Sequence, residues 1–255
     1  MPIVKELSTI DSKPARNTVA ECYTEIISDL KNSTELLSGD FNKGKVNRWA
    51  AMTLLSRVYL YKGEYNEALT MAENAIKGAE KEGYALWTNE EYPTAWGNDA
   101  SASNPGEILF EIVNLTTDSP GKESMGYLNS YNGYDDMCIT CSFYQLLKKD
   151  PKDVRLKILS FDKKYYAYVN KYQPQQGENI TDANIPLIRL SEAYLNAAEA
   201  AVQTEDNAKA VKYLNSIVQR ANPENSVEGK TLTLENVLDL SLIHISEPTR
   251  LLSIS

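Results

Sequence analysis

Two segments of the chain bring aromatic rings together with amides and carboxylates. Residues 84–99 read YALWTNEEYPTAWGND, and residues 127–134 read YLNSYNGY. A tyrosine combines an apolar ring face with a polar hydroxyl, so clusters of this kind suit binding surfaces that stay in contact with water. The count of 16 tyrosines against 4 phenylalanines agrees with this interpretation. Tyrosines that only fill helix-packing positions would give the same count.

Residues that could supply a nucleophile or bind a metal are scarce. The single histidine, His244, argues against His-based triads and His-rich metal sites. Cys138 and Cys141 have C-x-x-C spacing, which suits a redox pair, half of a zinc site or a short disulfide. No second pair of this spacing and no neighbouring histidine completes a metal site. We therefore predict neither a metal nor a cofactor.

Carboxylate pairs are the remaining source of hydrolytic chemistry. Three pairs lie close in sequence: Glu90 with Glu91, Glu107 with Glu111, and Asp135 with Asp136. Carboxylates are common in any acidic chain, and the G-x-S-x-G nucleophile motif does not occur. We predict that the protein is not an enzyme. The net charge of −9 also disfavours nucleic acid as a partner, because phosphate binding needs a basic face.

Helical periodicity marks the first 82 residues. Thr18 and Glu21 have the spacing of a capping box, which predicts the start of a helix. A second helix is predicted over residues 46–61 and a third from about Tyr65. Lys62-Gly63-Glu64 is the predicted turn between them, because glycine can take the left-handed conformation there.

The second and third helices resemble a tetratricopeptide hairpin. A comparable pair recurs at residues 188–202 and 208–221, with a turn at residues 203–207. Each hairpin has one apolar face and needs a stacking neighbour. We therefore predict a mostly α fold in which tetratricopeptide-like hairpins form a scaffold and a long, loop-rich insertion lobe separates them.

Helical periodicity and the distribution of glycine and proline divide the chain into four parts. Residues 1–82 form the helical, tetratricopeptide-like part. Residues 83–186 contain most of the glycines and prolines and form a predicted loop-rich lobe with the candidate ligand site. Within this lobe residues 107–113 predict a strand or a short buried helix. Residues 187–239 form the second helical hairpin, and residues 240–255 form a separate tail.

The tail has the character of a foreign sequence. Leu240 to Arg250 reads LSLIHISEPTR and resembles the translation of a transposase adapter used in sequencing libraries. We expect residues from about 240 onward not to be natural, so no site is built on His244. Genomic sequence that continues through codon 240 into the same residues would contradict this expectation.

Several sequence blocks resemble the SusD/RagB family in order and spacing. They are AECYTEIISDL at 20–30, NRWAA at 47–51, SRVYLYKGEY at 56–65, PGEILFE at 105–111, DVR at 153–155, IPLIRLSEAYLNAAEA at 185–200 and LNSIVQRA at 214–221. Each block is degenerate by itself. Together they are specific, and they cover about residues 1–239.

The resemblance implies a SusD-like α-helical fold and a lipid-anchored protein on the outer membrane surface of a Bacteroidetes-type cell. Members of the family bind glycans, or in some cases peptides, without catalysis. They form a lid on a TonB-dependent transporter of the SusC kind in nutrient uptake. Members are longer and begin with a signal peptide and a lipidated cysteine. We therefore expect this chain to be an internal fragment, and Cys22 not to be the lipidation site.

A glycan site needs an aromatic platform for the C–H face of the sugar and polar groups for its hydroxyls. The predicted ligand contacts are Trp87, Tyr92, Trp96, Asn98 and Asp99 in the first segment, and Tyr127, Tyr131 and Tyr134 in the second. Two alternatives stay open. The first segment could anchor the lobe against the helices, and the second could be a glycine-rich turn that packs its own tyrosines.

A tetratricopeptide-type adaptor that binds protein or peptide tails is the alternative function. Contiguous tandem repeats would favour this adaptor. Separated hairpins with an aromatic-rich insertion favour a cell-surface component that delivers oligosaccharide to a SusC-like transporter. A signal sequence with a lipobox cysteine upstream would support the receptor, and further tandem repeats would support the adaptor.

Overall fold

Helices dominate the part of the chain that the computed structural model describes. That part comprises residues 1–7, 9, 11–41, 44–97, 104–130, 132–134, 138–161, 166–174 and 179–245, of which 240–245 are described as backbone alone. Its helices are α1 Val19–Leu36, α2 Arg48–Lys62, α3 Tyr65–Lys81, α4 Met125–Leu128, α5 Cys141–Leu147, α6 Leu190–Gln203, α7 Asn207–Ala221 and α8 Leu234–Ile245. Its strands are β1 Ile108–Ile112, β2 Leu159–Phe161, β3 Ala167–Val169 and β4 Ile185–Arg189.

Some predicted features lie outside the described residues. These are Asn98, Asp99 and Tyr131 of the predicted ligand site, the carboxylate pair Asp135 and Asp136, and residues 246–255 of the tail. The backbone of α8 continues into the first residues of that tail. Within the described ranges, no helix combines the length and the apolar character that crossing a bilayer requires.

Local sequence signals set the bounds of the first helices. The Thr18 hydroxyl accepts a hydrogen bond from the Glu21 amide at 3.2 Å, and the Glu21 carboxylate accepts one from the Thr18 amide at 2.8 Å. This reciprocal pair confirms the predicted capping box. Helix α2 ends at Gly63, whose φ of +79° is left-handed and sterically easy only for glycine. The predicted turn between α2 and α3 is therefore also confirmed.

The two helical hairpins, far apart in sequence, stack directly on each other. Helix α3 packs against α6, and each of these helices also packs against its hairpin partner, α2 or α7. The α3–α6 contact is rich in fully buried alanines: Ala68, Ala72, Ala75 and Ala79 on α3, and Ala193, Ala197, Ala200 and Ala201 on α6. Small side chains allow helix axes to approach closely. The predicted mostly α scaffold of stacked hairpins is confirmed.

Buried and partly buried polar contacts between α2 and α6 fix how the hairpins align. Arg57 on α2 donates two hydrogen bonds to the Glu192 carboxylate on α6, at 2.5 and 2.6 Å. The Asn196 amide on α6 donates to the Ser56 hydroxyl on α2 at 2.9 Å. Because the guanidinium–carboxylate contact is bidentate, it tolerates little sliding of one helix along the other.

A short antiparallel ladder attaches the inserted lobe to the scaffold. Strand β1 pairs with β4, and β4 runs straight into α6. The predicted element at residues 107–113 is thus a strand. The predicted second hairpin begins at residue 188, whereas α6 begins at Leu190, because Ile188 and Arg189 pair with β1 instead. The other two strands, β2 and β3, form a small antiparallel hairpin within the lobe.

Candidate functional site

The aromatic residues of the first segment pack against one another inside the lobe. The Trp87 and Trp96 ring centroids lie 5.0 Å apart at 72°, and those of Tyr92 and Trp96 lie 5.5 Å apart at 89°. These edge-to-face arrangements are the favourable ones for aromatic pairs. Ala95, Val154 and Ile158 complete this buried group, which is called the tryptophan cluster below.

Burial leaves the tryptophan cluster little free ring surface. Trp87 is 8% exposed, Tyr92 1% and Trp96 7%. The neighbouring Asn89 amide donates to the carbonyls of Arg220 and Ala221, at 2.8 and 3.1 Å, and so ties the segment to the end of α7. These positions agree with the anchoring alternative. Direct ligand contact by Trp87, Tyr92 and Trp96 stays a prediction.

A fully buried carboxylate, Glu107, lies between the lobe and the helices. It accepts hydrogen bonds from Arg189 Nη1 at 2.9 Å and from the Ser191 hydroxyl at 3.2 Å, and it forms a second ion pair with Arg220. A buried charge requires such partners, since water cannot solvate it. Glu111 has a separate partner and accepts from the Asn184 amide at 2.9 Å. Glu107 is thus held by two guanidinium groups rather than coupled to Glu111.

The two arginines also contact the tryptophan cluster. Arg220 lies with its guanidinium carbon 5.0 Å from the Tyr92 ring centroid, and Arg189 lies 5.0 Å from the Trp96 ring centroid. Each guanidinium therefore combines an ion pair with a cation–π contact. Burial raises the pKa of the Tyr92 phenol, against the opposing charges of Arg220 and Arg189. The Trp96 indole N–H is buried without a hydrogen-bond partner.

This arginine–carboxylate network was not predicted from the sequence. Arg189 and Arg220 both fall in the family-like blocks, yet neither has a local pattern that reveals a partner. A signal does exist for Arg220, which stands among buried residues of α7 such as Ile217 and Ala221. An arginine on the apolar face of a helix needs a buried acceptor.

The second aromatic segment presents an exposed ring. The Tyr127 and Tyr134 ring centroids lie 5.1 Å apart at 85°, and Tyr134 is 47% exposed. Tyr127 is half-buried, and the Lys122 ammonium lies 6.0 Å from its ring centroid. Among the described members of the predicted ligand site, Tyr134 offers solvent the largest exposed fraction.

Backbone contacts hold Tyr134 beside Tyr127. The Tyr134 amide donates to the Tyr127 carbonyl at 3.3 Å. A Cβ on Gly133 would lie 1.9 Å from that same carbonyl oxygen, so only glycine allows the approach. A Cβ on Gly126 in α4 would lie 2.3 Å from the Ile180 carbonyl oxygen. Helix α4, which contains Tyr127, therefore packs closely against the residues that follow Asn179.

Polar groups flank the tyrosine pair. Asn132 is exposed, and its backbone amide donates to the Ser130 hydroxyl at 3.2 Å. The Asn129 side-chain amide donates to the Met125 carbonyl at 2.9 Å. The turn thus combines an exposed tyrosine with an exposed asparagine. This is the pairing that sugar C–H groups and hydroxyls require.

The cysteines show no metal-binding arrangement in the described ranges. Cys138 and Cys141 are exposed free thiols, and Cys22 is a partly exposed free thiol. Groups of three or more His, Cys, Asp or Glu side chains that could hold a metal ion do not occur among the residues described. Nothing at these cysteines supports an assignment beyond free thiols.

Two family models match the two ends of the chain. The model described as "SusD family" matches residues 161–240, and the one described as "Starch-binding associating with outer membrane" matches residues 1–60. A curated SusD-like protein of Bacteroides ovatus is 23% identical over 279 residues, which cover 92% of this chain and 50% of that protein. The chain therefore spans about half the length of this relative.

Solved structures share the fold. A Bacteroides vulgatus protein named as a candidate sugar-binding protein is 97% identical, with a TM-score of 0.94 over 96% of this chain and 55% of that one. A SusD superfamily protein of Bacteroides thetaiotaomicron is 34% identical, with a TM-score of 0.85 over 96% of this chain and 57% of that one. The mostly α architecture is thus the one found in SusD-like proteins.

Proposed function

This chain belongs to the SusD/RagB family, and we propose that it acts in glycan capture at the cell surface. In this proposal the protein binds an oligosaccharide at the outer membrane and delivers it to a TonB-dependent transporter of the SusC kind. The family description as starch-binding and the sugar-binding name of the 97% identical protein support the ligand class. The observation that carries the site is the exposed Tyr134 ring beside Tyr127.

The proposed contact surface is built around Tyr134. Its ring would stack on the C–H face of one sugar, and the exposed Asn132 amide would bind hydroxyls at the sugar edge. The T-shaped contact with Tyr127 and the backbone of Gly133 keep the ring in place before the ligand arrives. A contact that is already ordered loses little conformational entropy on binding. Tyr131 belongs to the same proposed surface but lies outside the described residues.

We assign the tryptophan cluster a supporting role. Trp96 is held from one side by aromatic neighbours and from another by Arg189, so its ring has little surface left for a sugar. Asn98 and Asp99 follow it directly in sequence and remain proposed polar contacts outside the described residues. The competing arrangement is direct stacking of a sugar on Trp96. The glycan affinity of a Trp96 variant distinguishes this arrangement from the supporting role.

Binding without catalysis is part of the proposal. Of the carboxylate pairs weighed for hydrolysis, Glu107 is neutralised by Arg189 and Arg220, and Glu91 accepts hydrogen bonds from Thr88. A hydrolase needs one carboxyl group to donate a proton and a second to assist attack across a shared substrate. Glu107, buried between two guanidinium groups, lacks that freedom.

A glycan panel tests the ligand class. Soluble starch, other polysaccharides and peptides would be titrated into the full-length protein by calorimetry. We expect saturable binding of at least one glycan class and no release of reducing ends. Binding of peptides together with failure of every glycan would contradict the proposal and would favour the adaptor function.

Purification from the native membrane tests the partner and the location. We propose that the full-length protein is lipid-anchored and surface-exposed, and that it associates with the transporter. After detergent solubilisation of outer membranes, we expect the tagged protein to copurify with a TonB-dependent transporter. Recovery of the protein alone, or from the soluble fraction, would contradict this part of the proposal.

A further inference from the structure

A second pair of aromatic residues meets solvent where helix α5 and strand β2 lie together. Phe161, at the end of β2, is 45% exposed, and its ring centroid lies 5.6 Å from that of the half-buried Tyr144 on α5, at 71°. The ammonium of Lys148, the residue that follows α5, lies 5.3 Å from the Tyr144 ring centroid. An exposed ring is thus held edge to face by a second ring that also carries a cation.

This arrangement repeats the one at Tyr134. There an exposed tyrosine meets the half-buried Tyr127 edge to face, and the Lys122 ammonium lies 6.0 Å from the Tyr127 ring centroid. The two arrangements are built from different elements, because one lies at α4 and the turn after it and the other joins α5 to β2. The lobe therefore presents an exposed ring, a supporting ring and a lysine at two separate places.

Basic side chains are concentrated around the second pair, although the whole chain has a net charge of −9. Residues 141–161 contain two carboxylates and five basic residues, namely Lys148, Lys149, Lys152, Arg155 and Lys157. The two carboxylates, Asp150 and Asp153, are already engaged. Asp153 forms an ion pair with Arg155, and Asp150 accepts hydrogen bonds from two side-chain amides of the residues after α7. The charge that this segment exposes is therefore mainly positive.

Lys148 is the cation placed best for a ligand at Phe161. Its side chain is exposed, and its ammonium lies over the ring that supports Phe161. Helix α8 packs against α5 and carries Glu235 and Asp239, yet within the described ranges no carboxylate lies close enough to Lys148 to form an ion pair. The neighbouring Lys152, in contrast, pairs with Glu224 at 2.5 Å. The charge of Lys148 is thus available to an anionic group.

We propose that Phe161 and Lys148 form a second glycan contact, and that this contact selects an acidic sugar of the uronic acid class. The exposed Phe161 ring packs against the C–H groups of the sugar, and Lys148 binds its carboxylate. Gln145, which is exposed on α5, supplies an amide for the hydroxyls. The local excess of positive charge steers an anionic ligand to this surface. This inference rests on the proposed glycan capture and adds the charge of the ligand.

Matched charged and neutral glycans test the selection. Oligomers of polygalacturonate, and the same oligomers after reduction of their carboxyl groups, would be titrated into the full-length protein by calorimetry. We expect the charged form to bind more tightly, and its affinity to fall as salt rises, because ions screen an exposed charge. Phe161→Ala should lose about 5- to 50-fold in affinity for the charged oligomer. Lys148→Gln should lose about two- to fivefold, the range of an exposed ion pair, and only for the charged form.

Two variants elsewhere on the chain serve as controls. Tyr61→Ala removes an exposed ring on α2, and Lys77→Gln removes an exposed lysine on α3, so both should bind like wild type. Lys148→Gln changes an exposed side chain, so the test does not depend on how well Phe161→Ala folds.

Three results would overturn the second contact. The first is equal affinity of wild type for the charged and the reduced oligomers, including no binding of either. The second is unchanged affinity in Lys148→Gln and in folded Phe161→Ala. The third is equally tight binding of polyglutamate, which would indicate a general attraction for polyanions. Binding of a neutral glycan that depends on Tyr134 but not on Phe161 would overturn this inference and leave the proposed glycan capture standing.

Discussion

Glu107 and Arg220 form a buried ion pair across 113 residues of sequence and thereby join the inserted lobe to helix α7. Arg189 completes the contact from the start of α6. The same two guanidinium groups lie against Tyr92 and Trp96, so the tryptophan cluster and the helical scaffold share one electrostatic anchor. The orientation of the lobe should therefore depend on this carboxylate.

Removing the charge of Glu107 tests this dependence. In Glu107→Gln two buried guanidinium groups lose their counterion, and breaking a buried pair in this way costs about 3–5 kcal/mol. We expect the free energy of unfolding to fall by about that amount, measured by urea denaturation with an unchanged m-value. Glu90→Gln is the matched control, because Glu90 is exposed and its loss should change stability by less than about 0.5 kcal/mol. Equal stability of the two variants would contradict the anchor.

Substitution of Trp96 distinguishes two roles for its ring: stabilisation of the lobe and direct contact with the glycan. In Trp96→Phe the cluster loses ring contacts with Trp87 and Tyr92, so we expect a loss of about 1–3 kcal/mol in stability. Because the ring is buried, the glycan affinity of the folded variant should stay within about twofold of wild type. Trp49→Phe, at a partly buried ring that packs against the helical core, provides the comparison. A tenfold or greater loss of affinity confined to Trp96→Phe would make Trp96 a ligand contact.

Tyr84 gives a prediction about alkaline stability. Burial, opposed by a hydrogen bond from the Asn47 amide, raises the pKa of Tyr84 to about 12. Its pKa in the unfolded chain is near 10. The unfolded state therefore releases the phenol proton first, and the stability that the neutral phenol contributes is lost as the pH rises from about 10 to about 12.

Tyr84→Phe should isolate this effect. At neutral pH the variant should be less stable by about 1 kcal/mol, because the Asn47 amide loses its acceptor. Above pH 10 only the wild type loses the stability that the neutral Tyr84 phenol contributes. The difference in unfolding free energy between the two proteins should therefore shrink. Urea titrations at neutral pH and at two alkaline pH values measure it. A difference that stays constant across this range would show that Tyr84 ionises normally.

Features governed by neighbouring residues could be predicted from the sequence. The capping box of Thr18 and Glu21 and the left-handed turn at Gly63 each depend on a few adjacent positions, and both occur as predicted. The need of each hairpin for a stacking neighbour followed from its apolar face, and the structure shows that the neighbour is the other hairpin. These inferences required only the helical period and the conformational range of glycine.

Features that depend on distant partners could not be predicted in the same way. The pairing of Glu107 with Arg220 joins residues that share no local pattern, and the pairing of β1 with β4 shortens the predicted helical arm by two residues. The aromatic segments illustrate the same limit. Trp96 and Tyr134 stand in similar mixtures of rings and amides, yet one ring is 7% exposed and the other 47%. Composition does not distinguish a ring that will be buried from one that will be exposed.

Glycan affinity of Tyr134→Ala tests the central claim most directly. The full-length variant would be titrated calorimetrically with the glycan that the wild type binds, beside Tyr61→Ala, which removes an equally exposed ring on helix α2. We predict that Tyr134→Ala loses about 1–3 kcal/mol of binding free energy, roughly 5- to 150-fold in affinity, and that Tyr61→Ala binds like wild type. Unchanged affinity in a folded Tyr134→Ala protein would contradict the account.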